Sequence, residues 1–277
     1  MKIGIGSYYL DKYGLEDGAK RMADDGYECA DLSFANTETE YYTKREEDFI
    51  ESMYEIKRAL KKHGVSVHQI HGPRRTPAID QTEDDRAERF GKMTKAMVMA
   101  KHLGARYMAV HPLMPFGQYS AENPDEVYAI NKKYYEALAK VGAGLGVVVC
   151  LENTPLRDFP LSRSEDILRL VLDISSPYLK ICFNTGHAAI MGEPIGETLR
   201  LLGKEVKILH INDNDGENDS HLPPYEGIID WSDLAEGLFD IGFDGVFSMS
   251  TAPSLYPTGT PEENEKELSK IAKLIAG

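Results

Sequence analysis

The sequence predicts a (β/α)8 TIM barrel, folded as a single domain over residues 1–277, and three observations lead there. Eight short runs rich in β-branched and aromatic residues recur along the chain, and longer amphipathic segments separate them. The glycine-rich phosphate loops that mark open doubly wound sheets, GxGxxG and GxxxxGK[ST], do not occur. A length of 277 residues with 42% hydrophobic content suits one large core.

The strand candidates, in order, are KIGIGSY, YECADLSF, VSVHQIHG, ARYMAVHP, VVVCLENT, YLKICFNTGH, VKILHIND and DGVFSMST. Between them lie segments such as EEDFIESMYEIKRALKKHG and DDRAERFGKMTKAMVMAKHLG, whose apolar residues recur at three- and four-residue spacing. Each ends in a glycine, the residue that most readily takes the left-handed turn closing a helix. PEENEKELSKIAKLIAG supplies the eighth helix. The longest irregular piece is NDNDGENDSHLPPYEGIIDW, after the seventh strand; its Asp, Asn, Gly and Pro content marks a loop, and long loops in compact domains often carry function.

Charge narrows the partners. With 31 Lys and Arg against 45 Asp and Glu, the formal net charge is −14. Nucleic-acid binding draws much of its affinity from cationic side chains on phosphates, so this balance argues against it. No apolar run approaches the roughly 20 residues that cross a bilayer, and MKIGIGSYYL passes straight into a strand without the apolar region of a signal peptide. A cytoplasmic protein with no membrane partner is expected. Cys29, Cys150 and Cys182 sit in apolar runs without CxxC spacing, which predicts buried free thiols and a reducing compartment. A homo-oligomer is compatible with the sequence, which does not set the subunit number.

In a (β/α)8 enzyme the active site forms at the carboxyl ends of the strands. Strand three ends in His71, strand four in His111, strand five in Glu152, strand six in Asn184 followed by His187, and strand seven in His210. The loop beyond adds Asp219 and His221. Five of the eight histidines thus share one rim, whereas His63 and His102 lie near helix ends and strand alternation turns His68 away from His71. Imidazole nitrogens and carboxylate oxygens converging from separate strands would repel or stay unsatisfied without a cation. The expected cofactor is therefore a divalent metal: Zn, Mn, Mg or Fe. Glu152, at the end of an apolar run, is the residue suited both to ligate metal and to move a proton. Tyr8, Phe34 and Trp231 are candidate apolar walls for a substrate, and Arg157 a candidate phosphate contact.

The ordered series HGP at His71, VHP at His111, LENT at Glu152, CFNTGH, HIND at His210, DSHLPP and the late STAP resembles the xylose-isomerase-like barrels, which include sugar isomerases, epimerases and endonuclease IV. The resemblance spans nearly the whole chain. It implies that His71, His111 and Glu152 match the ligands of one metal in the three-metal members, and that His187, Asp219 and His221 match those of another. It further implies a central metal on Glu152, residue 184, His210 and residue 250. There the chain departs: Asn184 stands where the family usually shows an aspartate, and Ser250 where a glutamate is usual. Two negative charges are lost from one ligand set, and so is the second carboxylate of a two-base epimerase.

These readings imply a sugar or sugar-phosphate isomerase or epimerase that acts on a small molecule, with metal-assisted proton transfer beside a carbonyl and Glu152 as base. A non-catalytic or inactivated carbohydrate-binding barrel is the first alternative, motivated by Asn184 and Ser250. An endonuclease IV-like metal-dependent phosphoester hydrolase is the second, motivated by the intact outer ligand sets and opposed by the acidic charge.

Overall fold

A computed structural model describes residues 1–74, 80–117 and 122–277, and it has the predicted barrel. The strands are β1 (Lys2–Ile5), β2 (Cys29–Ser33), β3 (Ser66–His71), β4 (Tyr107–Val110), β5 (Val148–Glu152), β6 (Leu179–Asn184), β7 (Val206–His210) and β8 (Val246–Met249). Neighbours in sequence pair in parallel from β1 through β7, and β1 also pairs with β8. A parallel bridge between Ile211 and Met249 closes the ring at the rim. Every candidate run contains one strand, but the strands stop earlier than the runs. In the first, Gly6 and Ser7 leave the sheet and Tyr8 opens the helix Tyr8–Tyr13.

Helices cover the outside. The segment Glu83–Leu103 starts at a capping box in which Thr82 and Asp85 satisfy each other's backbone N–H, and it ends where Gly104 turns left-handed at φ 87°. Its inner stripe, including Met93, Ala96, Met97 and Ala100, is buried. It belongs to the large core between sheet and helices. Burying each such methionine contributes about 1.5–3 kcal/mol. Among the described residues no helix is long and apolar enough to cross a membrane.

A second, smaller apolar cluster fills the barrel itself: Ala109, Val148, Cys150, Cys182 and Ile208. Strand alternation explains its relation to the rim, because residues two apart share a face. Ala109 lies two before His111, Cys150 two before Glu152, Cys182 two before Asn184 and Ile208 two before His210. Each rim residue from β4 to β7 therefore stands on a small or apolar floor. On the other side the same layer is polar, with Asp31 on β2, Gln69 below His71 on β3 and Ser248 below Ser250 on β8, all buried. The three cysteines are free and buried, as expected.

Candidate metal centre

His71, Glu152, Asn184 and His210 are the last residues of their strands, and His111 follows β4 directly. Parallel register then sets them side by side: Asn184 is level with His210, and Glu152 with Cys182. Glu152 is completely buried. Its Oε2 lies 3.3 Å from His71 Nε2 and 3.2 Å from His111 Nε2. Its Oε1 lies 2.8 Å from His210 Nδ1 and accepts a hydrogen bond from Asn184 Nδ2 at 2.9 Å. One carboxylate thus serves two neighbourhoods.

The histidine tautomers follow from their other nitrogens, since a carbonyl oxygen only accepts. His71 Nδ1 donates to the Gly72 carbonyl at 2.7 Å, and His187 Nδ1 to the Asn153 carbonyl at 2.7 Å. His221 Nδ1 donates to the Ser250 carbonyl. In the neutral ring each Nε2 then presents a lone pair. His71 Nε2, His111 Nε2 and Glu152 Oε2 are all buried without a hydrogen-bond partner. Burial depresses the pKa of His71 and takes His111 down to about 3, which keeps both rings neutral. The lone pair of His71 Nε2 thus faces an anionic oxygen, with the neutral His111 ring 3.2 Å from the same atom.

A cation is what such a cup fits. Zinc bonds to nitrogen and oxygen of about 2.0–2.1 Å in a tetrahedron separate the donors by roughly 3.4 Å, and the cup's separations are 3.2 and 3.3 Å. A second cup has the same spacing: Asp219 lies 3.4 Å from both His187 Nε2 and His221 Nε2. Ring centroids run as a chain, 5.8 Å from His210 to His71, 5.1 Å to His111, 6.3 Å to His187 and 6.2 Å to His221. A third group, Glu152, Cys182 and His210, brings a thiol within 3.5 Å of His210 Nδ1.

Asn184 and Ser250 are both engaged. Asn184 caps the helix Thr185–Ile190 by accepting from His187 N, accepts from Asn212 Nδ2 at 3.0 Å and donates to Glu152. Ser250 touches His221 through its carbonyl and, at 3.4 Å, its hydroxyl. His221 adopts φ 50°, a strained value for a non-glycine residue, which turns its ring toward Asp219. Burial raises the Glu152 pKa, but His210 outweighs it and holds the carboxyl well below the ordinary range. Burial likewise works against a charged His210, yet Cys182, Glu152 and Asp31 draw its pKa well above normal.

The four expected substrate-contact residues have these partners within the chain. Trp231 is buried and donates its indole N–H to Asp213 at 3.1 Å, so it braces the loop after β7. Phe34 is buried edge-on to Tyr41. The Tyr8 hydroxyl binds Glu265 at 3.3 Å and Lys12 at 2.8 Å, on the side of the closing helix Pro261–Ala276. Arg157 spends its guanidinium on the carbonyls of Ile190 and Gly216, at 2.8 and 3.4 Å, and ties two loops together. None of these contacts joins them to the histidines.

Asp31 and Asn153 went unread in the sequence. The Asn153 amide bonds both backbone groups of Asn184, at 2.8 and 3.0 Å, extending the sheet by one side chain. Its signal was only its place after Glu152. Asp31 had a better one, an acid inside the otherwise apolar stretch CADL.

The chain belongs to the xylose isomerase-like TIM barrel family, whose model matches residues 19–274. It is 27% identical to an uncharacterised protein of Methanocaldococcus jannaschii over 90% of this chain and 83% of that one. It is 24% identical to D-psicose 3-epimerase of Enterocloster bolteae over 99% of this chain and 93% of that enzyme. The crystal structure of the IOLI protein with a binding zinc atom superposes with a TM-score of 0.79 at 19% identity, over 100% of this chain and 98% of that one.

Proposed function

We propose that this protein is a metal-dependent isomerase or epimerase of a sugar or sugar phosphate. The observation that carries the proposal is the cup of unpartnered donors: Glu152 Oε2 against the bare Nε2 atoms of His71 and His111. A divalent ion would be held there by those three side chains, with His187, Asp219 and His221 forming a second ligand set. Bound, it would polarise a substrate carbonyl and acidify the neighbouring C–H and O–H groups.

The protein's own groups supply the rest. Glu152, a fully buried carboxylate at the cup, would take a proton from the carbon beside the carbonyl and return it. Asn184 Nδ2 and His210 Nδ1, both on Oε1, hold the carboxylate plane fixed. The small floor of Ala109, Cys150 and Cys182 excludes water from below. The sugar class is supported by kinship to D-psicose 3-epimerase, and metal use by the zinc of the IOLI protein.

The test is a screen of ketose and aldose pairs by NMR with protein loaded separately with Zn2+, Mn2+, Mg2+ and Fe2+. Turnover that disappears with EDTA and in Glu152→Gln is expected. Metal-loaded protein that interconverts none of them would overturn the reading. One observation favours a second one: the complete His187, Asp219 and His221 set suits a clustered-metal hydrolase. Failure to bind abasic duplex DNA at low salt would remove it.

A further inference from the structure

Asp31 lies below the rim, on the opposite side of His210 from Glu152. Its Oδ2 is 3.2 Å from His210 Nε2, 2.8 Å from the Gln69 amide nitrogen and 3.3 Å from the Ser248 hydroxyl. His210 Nδ1 faces Glu152 Oε1 at 2.8 Å and Cys182 Sγ at 3.5 Å. All these side chains are buried.

Donor counting fixes the arrangement. A carboxylate only accepts, and Asp31 gathers an amide N–H and a hydroxyl beside the imidazole. His210 Nε2 must therefore carry a hydrogen toward Asp31. Its other nitrogen is then the variable one, free to donate to Glu152 or to offer a lone pair to an ion. Had Nδ1 alone carried the hydrogen, the Nε2 lone pair would face the Asp31 carboxylate in a buried site, at a cost comparable to an unsatisfied polar group.

We propose that Asp31 is the positioning residue of the centre: through His210 it fixes which nitrogen faces the rim, and so sets the grip on metal and the placement of Glu152. Asp31 touches neither donor cup. With His210 Nδ1 as a ligand beside Glu152, in the third donor group, Asp31 is the outer carboxylate of a carboxylate–histidine–metal arrangement, whose loss typically weakens metal binding 10–100-fold. Gln69 and Ser248 hold the Asp31 carboxylate in turn, so the polar half of the barrel floor serves this one histidine.

The metal arm of this inference rests on the proposed function; the tautomer arm does not. Long-range 1H–15N correlation spectra of the 15N-labelled, metal-free protein, with His210→Gln to assign the ring, read the protonated nitrogen directly. Hydrogen on Nε2 is expected, and hydrogen on Nδ1 alone would overturn the proposal. Zn2+ titration then compares the native protein, Asp31→Asn, His210→Gln and the double variant. Asp31→Asn is expected to weaken binding 10–100-fold in the native background and to add little once His210 is replaced, with an unchanged far-UV spectrum. Undiminished affinity in Asp31→Asn, or fully additive losses, would overturn it. Native protein that binds no Zn2+ would sink the proposed function but leave the tautomer result standing.

Discussion

Asn184 Nδ2 donates to Glu152 Oε1 across the top of β5 and β6, at 2.9 Å. The amide neutralises nothing, yet it satisfies one oxygen of a carboxylate with no solvent exposure. An aspartate in its place would turn a hydrogen bond into a like-charge contact that only a cation relieves. Asn184→Asp should therefore destabilise the metal-free protein by about 1–3 kcal/mol, lowering the Tm by about 2–4 °C for each kcal/mol. Added Zn2+ or Mn2+ should reverse the loss. Paired with Ser250→Glu, it should also raise the quantity of metal retained through dialysis, measured by elemental analysis. A double variant that holds no more ion than the native chain would show that these positions do not address metal.

Glu152→Gln keeps the shape of the side chain and removes the charge shared by both neighbourhoods. The His71 and His111 cup loses its only anionic donor, so retained metal should fall. If Glu152 is the base, kcat should drop by about 10²–10⁴. Elemental analysis and single-turnover rates at saturating metal separate the two effects. A rate restored in full by excess metal would assign Glu152 to binding alone.

The barrel was legible because its repeat is written in the period of the hydrophobic residues, and strand ends can be counted without knowing what they touch. The same counting found His71, His111, Glu152, His187, His210, Asp219 and His221, because topology sends all strand ends to one rim. It could not assign the aromatics. Trp231 and Phe34 look alike in sequence as a sugar wall or as packing; in the structure they contact Asp213 and Tyr41. Asp31 was missed for a related reason. Its partner His210 is on β7, and which inward residues meet across a barrel depends on stagger that the sequence does not spell out.

Gly186 sits in the first turn of the helix that carries His187. A Cβ there would overlap the Asn212 side-chain oxygen and crowd Asn214, whose amide donates to the Gly186 carbonyl at 2.8 Å. Gly186→Ala should cost about 1–3 kcal/mol as overpacking and push His187 away from Asp219. The expected signature is weakened metal binding at the second cup with the His71 and His111 cup intact, read as a change in stoichiometry. Unchanged stoichiometry would mean that the asparagine lattice adjusts without moving His187.

The two cups should answer pH differently. Burial lowers His221 but the hydrogen bond and charge of Asp219 more than offset it, so its pKa is raised. Burial leaves His111 at about 3. A raised histidine contributes stability that is present below about 6.5, the unfolded value, and lost as pH rises through the folded one. The depressed His111 does the reverse: the unfolded chain takes up its proton between about 6.5 and 3, so stability falls as pH falls through that window. Below its raised pKa, His221 carries a proton that metal entering the second cup displaces, whereas burial keeps His71 and His111 uncharged. Calorimetric titrations near neutral pH in buffers of differing ionisation enthalpy should show proton release that His221→Ala abolishes. Release that persists in the variant would place the displaced proton elsewhere.

The placement of Glu152 bears on stereochemistry. An epimerase that inverts a carbon with two bases removes a proton on one face and delivers another on the opposite face, so the incoming hydrogen comes from solvent. Here Glu152 stands on β5, while the residue after β8, across the mouth, is Ser250, whose hydroxyl is no effective base near neutral pH. One base can still carry a proton between adjacent carbons on the same face, which interconverts an aldose and a ketose. In D2O the native protein should therefore favour aldose–ketose exchange over epimerisation, and its product should keep a measurable share of the substrate's own hydrogen. Ser250→Glu should shift the balance toward epimerisation with fuller deuterium uptake. Epimerisation by the native protein with complete solvent incorporation would require a second base on the far face and would end the one-base account.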